Sequence, residues 1–347
     1  MSTNQFSSRP QALDTWPVEQ RPGWRSWRAR QSRRLGLLPA RARQTASRHN
    51  GTGVIEAESA LGTSYTSTWS TGCGEVNFFT RSDGSRLRYF TAGTGEPLVL
   101  LHTVRTQLDY FQRVVPRLWD AFTVYALDLP GMGWSDIVPA ATYEEPDLRD
   151  AVVEFITTLN LRDVVLGGES LGAALALSAS IELKGKVSHV VAFNSYDYPG
   201  GLERGNWFAR LIGTSIRLPG SGPIFARMET RPILRAVMRG GFVERSKLPE
   251  EFLSELRRSG KRRGYPTVAR AILRSLNGFV EGRRRYPDVP VPVTLVYGER
   301  DWSHVAEREL VARLLTDVDV ITLPDTSHFS ALERPADMAR IFLQSHR

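Results

Sequence analysis

The sequence predicts an α/β fold: a mostly parallel, doubly wound sheet of eight strands that carries an inserted helical cap. Three observations predict it. From Glu75 onward, apolar runs of strand length recur between turn signals. After the first two, stretches of helical period lie between these runs, as in βαβ units. Residues 198–286 then break the alternation, being helical in pattern, rich in Arg and Gly, and without a convincing strand.

The first two strands, 76–80 and 87–91, flank Ser82-Asp83-Gly84-Ser85 as the arms of a hairpin flank its turn. Further strands fall at 97–102, 122–129, 163–168, 189–194, 291–298 and 318–323, with helices at 108–119, 148–159, 171–183, 305–315 and 336–343. An antiparallel start followed by alternating strand and helix gives a sheet covered on both faces, and such sheets bind ligands at the carboxyl ends of their strands. The core is then 75–197 and 287–347. The cap, 198–286, leaves the core after the sixth strand, where it can enclose a substrate.

Residues 1–50 hold ten Arg against Asp14 and Glu19, a composition that buries too little apolar surface to fold, so a disordered basic tail is expected. Ser32-Arg33-Arg34 looks like the start of a twin-arginine signal, but the apolar stretch after it is cut short by Arg41 and Arg43. The Thr-, Ser- and Gly-rich residues 51–74 read as a linker. The chain carries a formal charge of +8, and the cap contributes strongly to it: 198–290 contains 19 Lys or Arg against eight Asp or Glu. An acidic body therefore bears two basic attachments. Cys73 is the single cysteine, which excludes an internal disulfide and a thiolate metal cluster. The longest charge-free apolar stretch, 170–181, has 12 residues, short of the roughly 20 that cross a bilayer. A cytoplasmic protein without a membrane span is expected, at most peripheral to a membrane.

Gly168-Glu169-Ser170-Leu171-Gly172, at the end of the fifth strand, reads as a nucleophile elbow. Its glycines remove the Cβ atoms that a sharp strand-to-helix turn cannot hold, and the turn presents the Ser170 hydroxyl above the sheet. A serine hydroxyl needs a base and an acid that orients that base. His328, in Asp325-Thr326-Ser327-His328-Phe329 just past the eighth strand, is the candidate base; His102 and His304 are its competitors. Asp301, in the tight turn Gly298-Glu299-Arg300-Asp301-Trp302 after the seventh strand, is the candidate acid. Asp197, after the sixth strand, is the alternative.

The order Ser170, Asp301, His328 and the eight-strand layout resemble the α/β-hydrolase superfamily over about residues 75 to 347. Asp128-Leu129-Pro130-Gly131-Met132-Gly133-Trp134-Ser135 looks like that superfamily's loop after the fourth strand, and reads as structural. The resemblance implies an oxyanion hole between the amide of Leu171 and an amide after the third strand. Here the chain departs from the pattern, having His102-Thr103-Val104-Arg105-Thr106 where relatives have His-Gly. Val104 is the expected second donor. Thr103, Arg105 and Trp302 are candidate substrate contacts, with Arg105 expected to pair with an acid such as Asp109. Relatives that open epoxides or cleave carbon–halogen bonds use Asp at the position of Ser170, which argues against those reactions.

The sequence thus points to a serine hydrolase that cleaves a carboxylic ester or thioester through an acyl-enzyme, with no metal and no organic cofactor. An acyltransferase or a carbon–carbon bond hydrolase on the same triad is the near alternative; a ligand-binding protein with little turnover is the alternative of another class. In the cap, Arg227, Arg231, Arg235 and Arg239 recur every four residues beside an apolar face, and Pro232 is expected to start a second helix ending at Gly240-Gly241. The plain reading is an amphipathic helix with solvated arginines. The functional reading is a cationic lid for an anionic carrier such as coenzyme A or an acyl carrier protein, or for an anionic membrane surface. No nucleic acid is expected, because no base-reading motif accompanies the charge.

Overall fold

The computed structural model describes residues 73–345. The expected basic tail and residues 51–72 of the expected linker lie outside the described residues. Gly74 already belongs to the first strand, so the core begins within the linker as read from sequence.

Eight strands form one sheet: β1 (Gly74–Thr80), β2 (Arg86–Ala92), β3 (Glu96–Leu101), β4 (Phe122–Leu127), β5 (Val164–Glu169), β6 (Val187–Phe193), β7 (Val293–Gly298) and β8 (Val318–Leu323). Their order is β1-β2-β4-β3-β5-β6-β7-β8. β2 pairs antiparallel with β1 and β4, and every other neighbour is parallel. The hairpin forms because Gly84 takes φ 82° and the Asp83 carboxylate accepts both the backbone and side-chain donors of Ser85.

Outside the cap, α1 (Glu145–Thr158) and α2 (Leu171–Glu182) follow β4 and β5. Helix α2 is apolar nearly all round and buried from Leu171 to Ile181, since it lies against the sheet, α1 and the cap together. The helix expected at 108–119 is instead two short 3-10 turns, Leu108–Phe111 and Val115–Arg117. Pro116 lacks an N–H and disfavours a helical residue before it. The Leu108 amide is also held by Asp128 Oδ1 at 2.7 Å.

The cap holds α3 (Gly201–Gly205), α4 (Trp207–Arg217), α5 (Gly222–Arg227), α6 (Arg231–Met238), α7 (Glu250–Gly260) and α8 (Tyr265–Gly282). Pro232 stands in the first turn of α6, and a 3-10 turn closes at Gly241, as the sequence suggests. Arg231 and Arg235 share Glu250 at 3.0 and 2.5 Å near the surface, pairs worth at most about 1 kcal/mol. After the cap come α9 (Val305–Leu314), α10 (Ser330–Glu333) and α11 (Pro335–Gln344). Apolar cores fill both faces of the sheet.

Beneath the third and fourth strand ends lies a buried ion cluster. Arg88 donates to Asp128 at 2.6 Å and to Asp109 at 3.0 Å, with all three side chains inaccessible to water. Asp128 also accepts the Trp134 amide, and any Cβ at Gly133 would collide with its carboxylate. The loop from Asp128 to Ser135 is therefore a clamp for the strand ends, and its glycines are needed at Gly131 (φ 73°) and Gly133 (φ 53°).

Candidate active site

Ser170 stands between β5 and α2 with φ 58° and ψ −117°, a conformation a side chain adopts only under strain. The surroundings enforce it. A Cβ at Gly168 would meet the Gly172 carbonyl, and one at Gly172 would meet the carbonyls of Leu101 and His102. The elbow thus packs backbone to backbone against the end of β3, which pairs with β5 through Leu101 and Gly168.

His328 Nε2 lies 2.8 Å from Ser170 Oγ, and its Nδ1 lies 2.5 Å from Asp301 Oδ1. The other Asp301 oxygen accepts the Ser303 amide and hydroxyl. Burial pushes the Asp301 carboxyl up, but the facing His328 and the hydrogen bonds from His328 and Ser303 outweigh it and leave the group below its ordinary value. An ionised Asp301 accepts from Nδ1–H, which leaves Nε2 free to accept the Ser170 proton. All three side chains are buried.

Asp197 does not reach His328. It accepts the Tyr286 hydroxyl at 3.2 Å, and burial raises its carboxyl to about 7. The rival histidines are occupied elsewhere. His102 accepts the Leu129 amide at Nε2 and donates from Nδ1 to the Thr103 carbonyl, and burial lowers its pKa, so it is neutral and pins the turn after β3. His304 caps α9 in a capping box with Glu307.

Trp302 stacks flat on the His328 imidazole, with centroids 3.7 Å apart and planes 12° apart, and its Nε1 donates to the Gly240 carbonyl of the cap. Arg105 does not pair with Asp109, which Arg88 and Gln107 already hold. It donates instead to both oxygens of Glu229 and to the Tyr265 hydroxyl, and lies over the Tyr265 ring at 4.6 Å, tying the turn after β3 to the cap. Thr103 and Val104 lie beside His328 and Trp302 on the wall of a cavity of about 450 Å³, otherwise lined mostly by apolar cap residues such as Ile212, Leu234 and Ile272. The Thr103 hydroxyl is buried without a hydrogen-bond partner. Leu171, in the first turn of α2, has no intrahelical acceptor for its amide.

Sequence reasoning missed the supports of the histidine loop. Glu169 is buried and accepts from the Tyr110 hydroxyl, Asn194 Nδ2 and the amides of Ser330 and Ala331. Burial raises its pKa against those bonds. Asn194 also donates to the carbonyls of Ser327 and His328 and accepts the Gly298 amide. From the cap, the Gly241 carbonyl accepts the amides of His328 and Phe329. In the sequence Glu169 appears only as the variable residue of the elbow, with nothing to indicate its partners.

Among the described residues no group of His, Cys, Asp and Glu is arranged to hold a metal ion, and no helix is long and apolar enough to cross a membrane. The chain is 34% identical over 113 residues to (E)-2-((N-methylformamido)methylene)succinate hydrolase of Acinetobacter baylyi, a match that covers 33% of this chain and 43% of that relative. It therefore spans less than half the length of that protein. Haloalkane dehalogenase 2 of Mycobacterium tuberculosis is 23% identical over 287 residues, covering 78% of this chain and 94% of the relative. The crystal structure of Cfl2 from Burkholderia cenocepacia superposes with a TM-score of 0.69 at 21% identity, over 79% of this chain and 96% of that one, which is a likeness of fold. A match to the description of the alpha/beta hydrolase family runs through residues 98–341, from β3 across the cap into the last helix, and the chain belongs to that family.

Proposed function

We propose that this hydrolase-family protein cleaves a carboxylic ester or thioester through an acyl-enzyme on Ser170. The observation that carries the reading is the aligned relay Ser170–His328–Asp301 beside a mostly apolar cavity. His328 Nε2 takes the Ser170 proton as Oγ attacks the carbonyl. The Leu171 and Val104 amides receive the oxyanion, and such preoriented donors are each worth about 10²–10³ in rate. The imidazolium, steadied by Asp301, then protonates the leaving alcohol or thiol. Water repeats the sequence on the acyl group and frees Ser170.

The mostly apolar cavity wall supports an apolar acyl group; Arg105 on that wall is committed to Glu229, while Arg227, Arg257, Lys261 and Arg262 line the cavity as well. Carbon–halogen displacement, as in the named mycobacterial relative, is disfavoured by a serine in place of a carboxylate nucleophile. A panel of p-nitrophenyl esters and acyl thioesters of increasing chain length tests the reading. Turnover is expected to rise with acyl length and to vanish in Ser170→Ala; no turnover of any member would overturn it.

A further inference from the structure

Among the described residues, six of the ten exposed large apolar side chains fall between residues 207 and 228: Trp207, Leu211, Leu218, Ile224, Phe225 and Met228. Trp207, at 76% exposure, is the most open of them. Trp207 and Leu211 stand four residues apart, hence on one side of α4, and Leu218 follows directly after its last residue. The opposite side of α4 lines the active-site cavity through Ala209, Ile212 and Ile216. A helix apolar on both sides is at home where both sides are covered. After α4 the chain reverses through the bond from the Gly222 amide to the Leu218 carbonyl, and α5 packs back along it. Phe225 and Met228 of this return are exposed and also line the cavity, so the apolar face is continuous with the cavity mouth.

The charge of this hairpin is one-sided. Residues 206–228 contain Arg210, Arg217 and Arg227 and no Asp or Glu. Arg217 pairs with Glu203, whereas Arg210 and Arg227 are exposed cations without an acidic neighbour on the hairpin. A second groove, of about 410 Å³, runs beside α5 and is lined by Arg227, Arg270 and Arg274 against the single acid Glu144. A face-to-face second copy would set these arginines against themselves. An anionic lipid surface answers both features, since it accepts scattered apolar side chains without needing matching pockets and supplies phosphates to the cations around them.

We propose that the outer face of α4 and α5 docks this protein onto an anionic lipid surface. Trp207, Leu211 and Ile224 enter the boundary between headgroups and acyl chains, where Trp is at home. Arg210 and Arg227 meet lipid phosphates, and an acyl substrate passes between Phe225 and Met228 into the cavity. The docking rests on the acyl-hydrolase reading only for what enters the cavity.

The test is co-sedimentation of the full-length chain with vesicles of phosphatidylcholine alone or mixed equally with phosphatidylglycerol. Wild type is expected to bind the anionic vesicles, and Trp207→Ser/Leu211→Ser/Ile224→Ser to lose about tenfold or more in partitioning. That variant retains its hydrolysis of a soluble short-chain ester, because none of the three residues lines the cavity. Arg210→Gln/Arg227→Gln is expected to lose the preference for phosphatidylglycerol. Ser170→Ala is expected to bind as wild type does, which separates this proposal from the chemistry at Ser170. The proposal is overturned if wild type does not bind, or if the triple variant binds equally, since adhesion then resides elsewhere in the chain. It is equally overturned if the substitutions abolish only a concentration-dependent self-association.

Discussion

At the level of single residues, the imidazole of His328 is held on three sides: by Asp301 at Nδ1, by Ser170 at Nε2, and by the indole of Trp302 across its face. The stack restrains the ring and excludes water from it, so Trp302→Leu is expected to lower kcat about tenfold with a smaller effect on KM, read from steady-state rates on the best ester of the panel. Equal losses for Trp302→Leu and Trp302→Phe would show that the flat indole is not what matters. Thr103 marks the departure from the family's usual glycine. Its hydroxyl is buried without a partner on the cavity wall, and under the proposed acyl-enzyme reading it adds a donor for the oxyanion, so Thr103→Val is expected to cut kcat about tenfold or more while Thr103→Ser retains most of it. The meeting of Ser170, Asp301 and His328 was legible in sequence because each sits at a strand end in a recognisable turn. Glu169, Asn194 and Gly241 were not, because their roles consist of hydrogen bonds to segments up to 162 residues away. The partner of Arg105 was misread as Asp109 for the same reason: Glu229 lies 124 residues on and in the cap.

At the level of elements, the elbow joins β5 to α2 only because two glycines let backbone meet backbone. Gly172→Ala sets a Cβ against the Leu101 carbonyl, a rigid neighbour, and is expected to cost about 2–3 kcal/mol in urea unfolding and to abolish turnover by moving Ser170. Unchanged stability and activity would show that the elbow can relax. The eight strands were readable from apolar runs and turn residues, to within two residues at every end. The segment 108–119 was not read correctly, because its apolar spacing is helical while Pro116 and the buried Asp128 draw the backbone into two tight turns. The helical cap was legible as an interruption of the α/β alternation. Its contact with the histidine loop was invisible, since Gly240 and Gly241 read only as a helix stop.

At the level of the whole molecule, the cap leaves the core beside Asp197 and returns beside Tyr286, and these two residues bond to each other in the interior. Burial raises the Asp197 carboxyl to about 7, against about 3.9 in an unfolded chain. The folded state therefore binds an extra proton between those values. Stability from this group is fully present below about pH 4 and is lost as the pH rises through about 7. Asp197→Asn keeps an acceptor for Tyr286 without the charge, so urea midpoints of wild type relative to this variant are expected to fall from about pH 5 to pH 8. Parallel midpoints across that range would contradict a buried, raised carboxyl. In the proposed reading cap, sheet and strand-end loops together serve the Ser170 hydroxyl, and the most direct measurement is the site of covalent capture. Wild type and Ser170→Ala are treated with a fluorophosphonate and mapped by peptide mass spectrometry. The expected result is a single adduct on the peptide bearing Ser170 and none in the variant; an unlabelled wild type, or labelling that persists at wild-type level in Ser170→Ala, would contradict the account.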